Sequence, residues 1–190
     1  GRGGRAARER MTREEFEHVV RAAAAIVADE IVVIGSQAIH GQVAAPPPAL
    51  LVSRELDVYP RSAPERAAEI DGAIGDGSLF DSTYGYYAHG VGPETPLAPA
   101  GWQERLVRVE LQPLGRQPGA VAWCMETHDL VLAKLVAGRP HDIEFALEAL
   151  SANLADRAQL ILELRLMPER HRHITKERLQ GLLARIDRER

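Results

Sequence analysis

Glu55 and Asp57 stand two residues apart in the segment ELDVYP. Side chains two apart on a strand project from one face, so the two carboxylates converge while Leu56 and Val58 turn to the core. Like charges that close are unfavourable without a cation between them, and the usual cation for oxygen-only donors is Mg²⁺, with Mn²⁺ as a substitute. Mg²⁺ keeps water or phosphate oxygens as its remaining ligands. Upstream, the apolar run IVVI ends in Gly35 and Ser36. A glycine lets backbone approach a phosphate closely, free N–H groups at a helix start favour an anion, and the Ser36 hydroxyl adds a donor. The two halves together describe a nucleoside triphosphate gripped by a turn on one side and a metal on the other.

The elements that must carry these residues are legible as an α/β arrangement. TREEFEHVVRAAAAIVADE reads as a helix capped by Thr12, with Glu14 and Glu15 in its first turn and Phe16, Val19, Val20 and Ala23 at helical spacing. IVVI suits a strand buried on both faces. SQAIHGQV reads as a short helix that prolines 46, 47 and 48 cannot continue. ELDVYP is a strand and APERAAEIDGAIG an amphipathic helix. FDSTYGYYAHGV, with aromatics and glycines mixed, reads as a strand or hairpin near a functional surface, where Tyr84, Tyr86 or Tyr87 could stack on a base or pack in the core. ERLVRVELQPL and AVAWC are strands, and from Glu126 onward the pattern is helical. The expected division is a leader at 1–11, an α/β core at 12–125 and a helical region at 126–190 packed on it. GRGGRAARER, in the leader, shows no periodicity.

Among the remaining polar residues, Lys134 follows Leu130 and Val131 in DLVLAKLVAG, so its stem can run from a buried face to a site. GRPH reads as a helix break that turns Arg139 and His141 toward the cleft, with Asp142 capping the next helix or orienting Lys134. Cys124, the single cysteine, sits in an apolar run and reads as a buried small hydrophobe; no disulfide can form within the chain. The histidines show no zinc-binding spacing.

Composition narrows the function classes. With 190 residues, 45% hydrophobic and 26% charged, the chain can build one sizeable core. A net charge of -4 argues against coating nucleic acid by bulk electrostatics. A local basic surface is compatible with that charge: basic residues outnumber acidic ones from Arg165 to Arg190, and Arg105, Arg108 and Arg116 could extend the patch toward an RNA. No apolar run reaches the about 18 residues that span a bilayer. A cytoplasmic protein without membrane association is expected.

The blocks GSQAIHG, ELDVYP, YGYYAHGV, GWQERLVRV and DLVLAKLVAGRPHDIEF, in that order, resemble a bacterial family of minimal nucleotidyltransferase-like proteins in the DNA polymerase β superfamily. Its members include MenT-like toxins of toxin-antitoxin pairs. The resemblance covers roughly Thr12 to Leu150. It implies a nucleotidyltransferase-type mixed sheet flanked by helices. Gly35 and Ser36 would bind triphosphate, Glu55 and Asp57 the metal, and Lys134 the triphosphate oxygens. Asp142 or Glu110, the latter on a central strand, would complete or support the acidic cluster, and Arg139 would join the nucleotide site. Glu55 stands where the superfamily usually has aspartate. The reaction implied is attack of a hydroxyl on the α-phosphate, with pyrophosphate leaving. The acceptor implied is the 3′ end of transfer RNA, extended by pyrimidine nucleotides, and the partner a cognate antitoxin. Transfer to a protein or small molecule, or a binding module that has lost catalysis, are the alternatives.

Overall fold

The computed structural model describes residues 10–190. Five strands, β1 (Ile31–Ile34), β2 (Glu55–Pro60), β3 (Tyr87–Gly90), β4 (Val107–Leu111) and β5 (Ala120–Cys124), form one sheet in the order β3-β2-β1-β5-β4. β1 runs antiparallel to β2 and parallel to β5, β3 is parallel to β2, and β4 is antiparallel to β5. The sheet is therefore mixed, as expected. All four residues of β1 are buried, which explains its uninterrupted β-branched sequence at the sheet centre.

Helix α1 (Arg13–Val27) is started by a capping box: the Thr12 hydroxyl accepts the Glu15 N–H at 3.1 Å and Glu15 Oε1 accepts the Thr12 N–H at 3.0 Å. Its buried face, Phe16, Val19, Val20, Ala23 and Val27, packs on the sheet and on α2 (Ala67–Ile74). Beyond β5 every element is helical: α4 (Thr127–Ala137), α5 (Pro140–Ser151), α6 (Arg157–Glu163) and α7 (Glu169–Arg188) follow the short α3 (Leu79–Tyr84) of the first half. α7 seals the end of α4 through Arg178, whose guanidinium donates to the carbonyls of Leu135 and Val136 at 2.7 and 2.8 Å. It fills the space beside Gly138, whose φ of 67° ends α4 in the left-handed region.

Several expectations are corrected. The leader cannot extend to 11: Met11 is 0% exposed in the core and Arg10 bridges to Val52, whereas positions 1–9 lie outside the described residues. The Phe80–Val91 segment is no hairpin but α3, a left-handed Gly85 and β3, because Ser78 caps a helical turn by accepting the Asp81 N–H. Tyr84 and Tyr86 form an aromatic cluster with Phe80 and His18, with ring centroids 4.6–5.9 Å apart; Tyr86 is buried there, whereas Tyr84 stays half exposed. β4 is an edge strand, not a central one. SQAIHG forms a 3₁₀ helix, Ser36–Gly41. Cys124 is buried against Gly41 and burial pushes its thiol up to about 12, so it is an unreactive core residue. No helix among the described residues is long and apolar enough to cross a membrane.

Candidate active site

The register between β1 and β2 sets Asp57 opposite Ile34, at the end of β1 where the chain turns through Gly35. Gly35 has φ 74° and ψ -174°, a region that only glycine occupies without strain. A Cβ there would lie 2.6 Å from Asp57 Oδ2. The glycine is thus required twice, by the turn and by the carboxylate against it.

Asp57 and Glu55 share their face of β2, and Leu56 and Val58 behind them are 0% exposed. β3 pairs in parallel with β2 so that His89 lies directly across from Asp57. His89 Nδ1 lies 3.1 Å from Asp57 Oδ1 and 3.2 Å from Glu55 Oε1. One ligand atom from each of Glu55, Asp57 and His89 falls within 4.8 Å of the others. The crowding has an electrostatic signature. Burial, then hydrogen bonding and repulsion from Glu55, push the Asp57 carboxyl up to about 7, against the opposing pull of His89. Burial would lower the His89 imidazole, but Glu55 and Asp57 outweigh it and hold it above its ordinary value. Glu55 is further fixed by Tyr87, whose hydroxyl donates to Oε2 at 3.1 Å, and by Ser53 Oγ, which accepts the Glu55 N–H at 3.0 Å. Burial, followed by the nearby Glu55 charge, pushes the Tyr87 phenol up to about 12, so it remains a donor.

Lys134 reaches this cluster from α4. Its Nζ donates to Ser36 Oγ at 2.7 Å and lies 3.5 Å from Asp142 Oδ1 and 5.3 Å from the Phe145 ring centroid. Burial draws the ammonium pKa below its ordinary value, and the Asp142 charge counteracts part of that. Asp142, 0% exposed at the start of α5, accepts from Arg139 Nε at 2.7 Å and from the Arg139 N–H at 3.2 Å. Burial alone would raise its carboxyl, but Arg139 and Lys134 outweigh burial and hold it below the usual value. Asp142 therefore positions the two cations.

Two cavities meet at this point. One, of about 200 Å³, runs from Gly35 between Leu97 and the small residues Ala133 and Ala137 of α4. The other, of about 170 Å³, is lined by Ser36, Ser53, Glu55 and His141. Asp57, Lys134 and Arg139 border both.

The structure thus brings together Gly35, Ser36, Glu55, Asp57, Lys134, Arg139 and Asp142. It does not bring Glu110 to them. Glu110 is on edge strand β4, three strands from β2 or roughly 14 Å in sheet spacing, and its side chain is 61% exposed beside Arg108 at 3.3 Å. The third group at the acidic pair is instead His89, which the sequence reading missed. The period-2 alternation of YAHG marks its face, but only the pairing with β2 places it beside Asp57. Arg105 is likewise not free to face RNA, since it holds buried Asp129 through two bonds at 2.8 and 2.9 Å.

Residues 13–165 match the model of a family described as a nucleotidyltransferase of unknown function (DUF6036). No curated protein and no solved structure matches the chain. The matched span holds every residue of the cluster from Gly35 to Asp142, and the chain belongs to this nucleotidyltransferase family.

Proposed function

We propose that this nucleotidyltransferase moves a nucleoside monophosphate from a nucleoside triphosphate onto an RNA 3′ hydroxyl, with pyrophosphate leaving. The observation that carries the proposal is the contact of Lys134 Nζ with Ser36 Oγ above Asp57. It sets an ammonium, a hydroxyl and a glycine turn on one side of a carboxylate pair. The polar cavity at Ser36, Lys134 and Arg139 suits the β- and γ-phosphates. The slot between Leu97, Ala133 and Ala137 suits the flat apolar faces of a nucleobase.

The donors at the acidic pair fit a divalent metal: two carboxylates and an imidazole converge, and burial together with the neighbouring Glu55 raises the Asp57 carboxyl even with His89 beside it. Glu55, Asp57 and His89 would hold Mg²⁺ or Mn²⁺. Bound there, the metal would neutralise charge on the phosphates and favour the ionised acceptor hydroxyl. The chain's own residues do the rest. Lys134 and Ser36 hold the triphosphate in line, and Asp142 keeps Lys134 and Arg139 aimed at it. Asp57 takes the proton of the acceptor hydroxyl.

The resemblance to MenT-like toxins supports transfer RNA as the acceptor, pyrimidine triphosphates as donors and a cognate antitoxin as partner. Labelling a lysate with each α-radiolabelled triphosphate identifies the acceptor. Label in the transfer-RNA fraction supports this choice. Label in protein or small molecules rejects it while leaving the transferase intact. Growth arrest on expression that Asp57→Ala abolishes supports the toxin role, and arrest that survives the change excludes it.

A further inference from the structure

A second group of carboxylates lies away from the nucleotide cluster, where the start of α4 meets the end of α6. Glu126, Asp129 and Glu163 each offer an oxygen within 4.8 Å of the others. Unlike a surface acidic patch, this one is sunk into the protein: Asp129 is 0% exposed and Glu163 8% exposed.

The charges do not balance. Arg105 neutralises Asp129 through its two bonds. Glu126 is the α4 cap, with Oε2 accepting the His128 and Asp129 N–H groups at 2.8 and 3.3 Å and Oε1 lying 2.7 Å from His128 Nδ1. Against burial, the carboxylate of Glu126 holds the His128 imidazole above its ordinary value, and His128 Nε2 lies 2.9 Å from the Asp156 backbone nitrogen. Glu163 Oε1 accepts from Gln159 at 3.1 Å, whereas Oε2 is buried with no hydrogen-bond partner among the described residues. Three carboxylates thus face at most two cations, Arg105 and His128, and a carboxylate oxygen of Glu163 is left bare in the interior. Each condition is costly, and one dication relieves both.

We propose that Glu126, Asp129 and Glu163 bind a hard divalent cation, of the Ca²⁺, Mg²⁺ or Mn²⁺ class, that fastens α6 to the start of α4. The donors are oxygens only, which excludes a preference for soft thiophilic metals. The site stabilises the helical half and takes no part in the transfer reaction.

The test uses the full chain carrying Glu55→Gln and Asp57→Asn, so that the cluster on β2 no longer contributes. Melting is followed in chelator and in millimolar Ca²⁺, Mg²⁺ or Mn²⁺, and bound Mn²⁺ is counted by its paramagnetic resonance signal. The expected result is one Mn²⁺ per chain and a melting temperature that climbs with cation concentration. Both effects should vanish on adding Glu163→Gln, which is isosteric and spares the Gln159 contact, or Glu126→Gln, which keeps an oxygen for the helix cap. No bound Mn²⁺ in the parent of this series would overturn the proposal. Mn²⁺ that persists with Glu163→Gln would overturn it equally.

Discussion

Lys134 Nζ donates to Ser36 Oγ at 2.7 Å, joining the fourth helix to the turn after the first strand across 98 residues of sequence. Charged hydrogen bonds of this kind contribute about 1.5–3 kcal/mol each. Lys134→Met should therefore weaken nucleoside triphosphate binding by roughly 10–100-fold, and inorganic tripolyphosphate by the same factor. Titration calorimetry with both ligands checks this. A loss confined to the nucleoside triphosphate would assign Lys134 to the base instead.

Asp57 gives the pH dependence. Its folded carboxyl, raised to about 7, lies above the unfolded value of about 3.9, so the folded state binds the extra proton. Its stability contribution is fully present below the unfolded value and is lost as pH rises toward 7. His89, held above its ordinary value, acts in the same sense at higher pH. In chelator, melting temperature should fall from about pH 4 to pH 8, and Asp57→Asn should flatten the fall. The gain at pH 8 should be of order 1 kcal/mol after screening, roughly 2–4 °C for a chain of this size. Thermal melts across pH decide it.

Gly35→Ala places a methyl 2.6 Å from Asp57 Oδ2 at a backbone angle closed to alanine. A loss of about 1–3 kcal/mol in stability is expected from denaturant melts. Cation binding at the β2 cluster should fail with it, whereas Ala44→Gly, on an exposed loop, should leave both unchanged.

Arg105 separates structural from nucleic-acid roles. Arg105→Gln leaves buried Asp129 without its charge partner, and removing one member of a buried pair costs about 3–5 kcal/mol. The partial exposure of Arg105, 31%, puts the expected loss at the lower end. The double change Arg105→Met with Asp129→Leu should recover most of it. If Arg105→Gln lowers RNA affinity without lowering stability, the structural role is wrong.

What the sequence revealed was local. The fully buried β1 was readable from four consecutive β-branched residues, and the shared face of Glu55 and Asp57 follows from strand geometry alone. The Thr12 cap needed only its own helix. What it hid was set by pairing between distant segments. Strand order cannot be read from one strand's alternation, so Glu110 looked central when it lies on the edge, and His89 gained its place only through the β2–β3 register. Arg105 looked like a surface cation because its partner is buried 24 residues later. Tyr86 looked available because its neighbours His18 and Phe80 come from two different helices.

The most direct measurement of the transfer reaction follows pyrophosphate release and incorporation of label from α-radiolabelled triphosphates into RNA, comparing the parent chain with Asp57→Asn. Parent protein with Mg²⁺ or Mn²⁺ should release one pyrophosphate for each nucleotide added to an RNA 3′ end. Asp57→Asn should do neither while still binding tripolyphosphate through Ser36 and Lys134. Incorporation that is equal in parent and Asp57→Asn would contradict the account. So would a parent that binds triphosphates yet labels no acceptor with any of them.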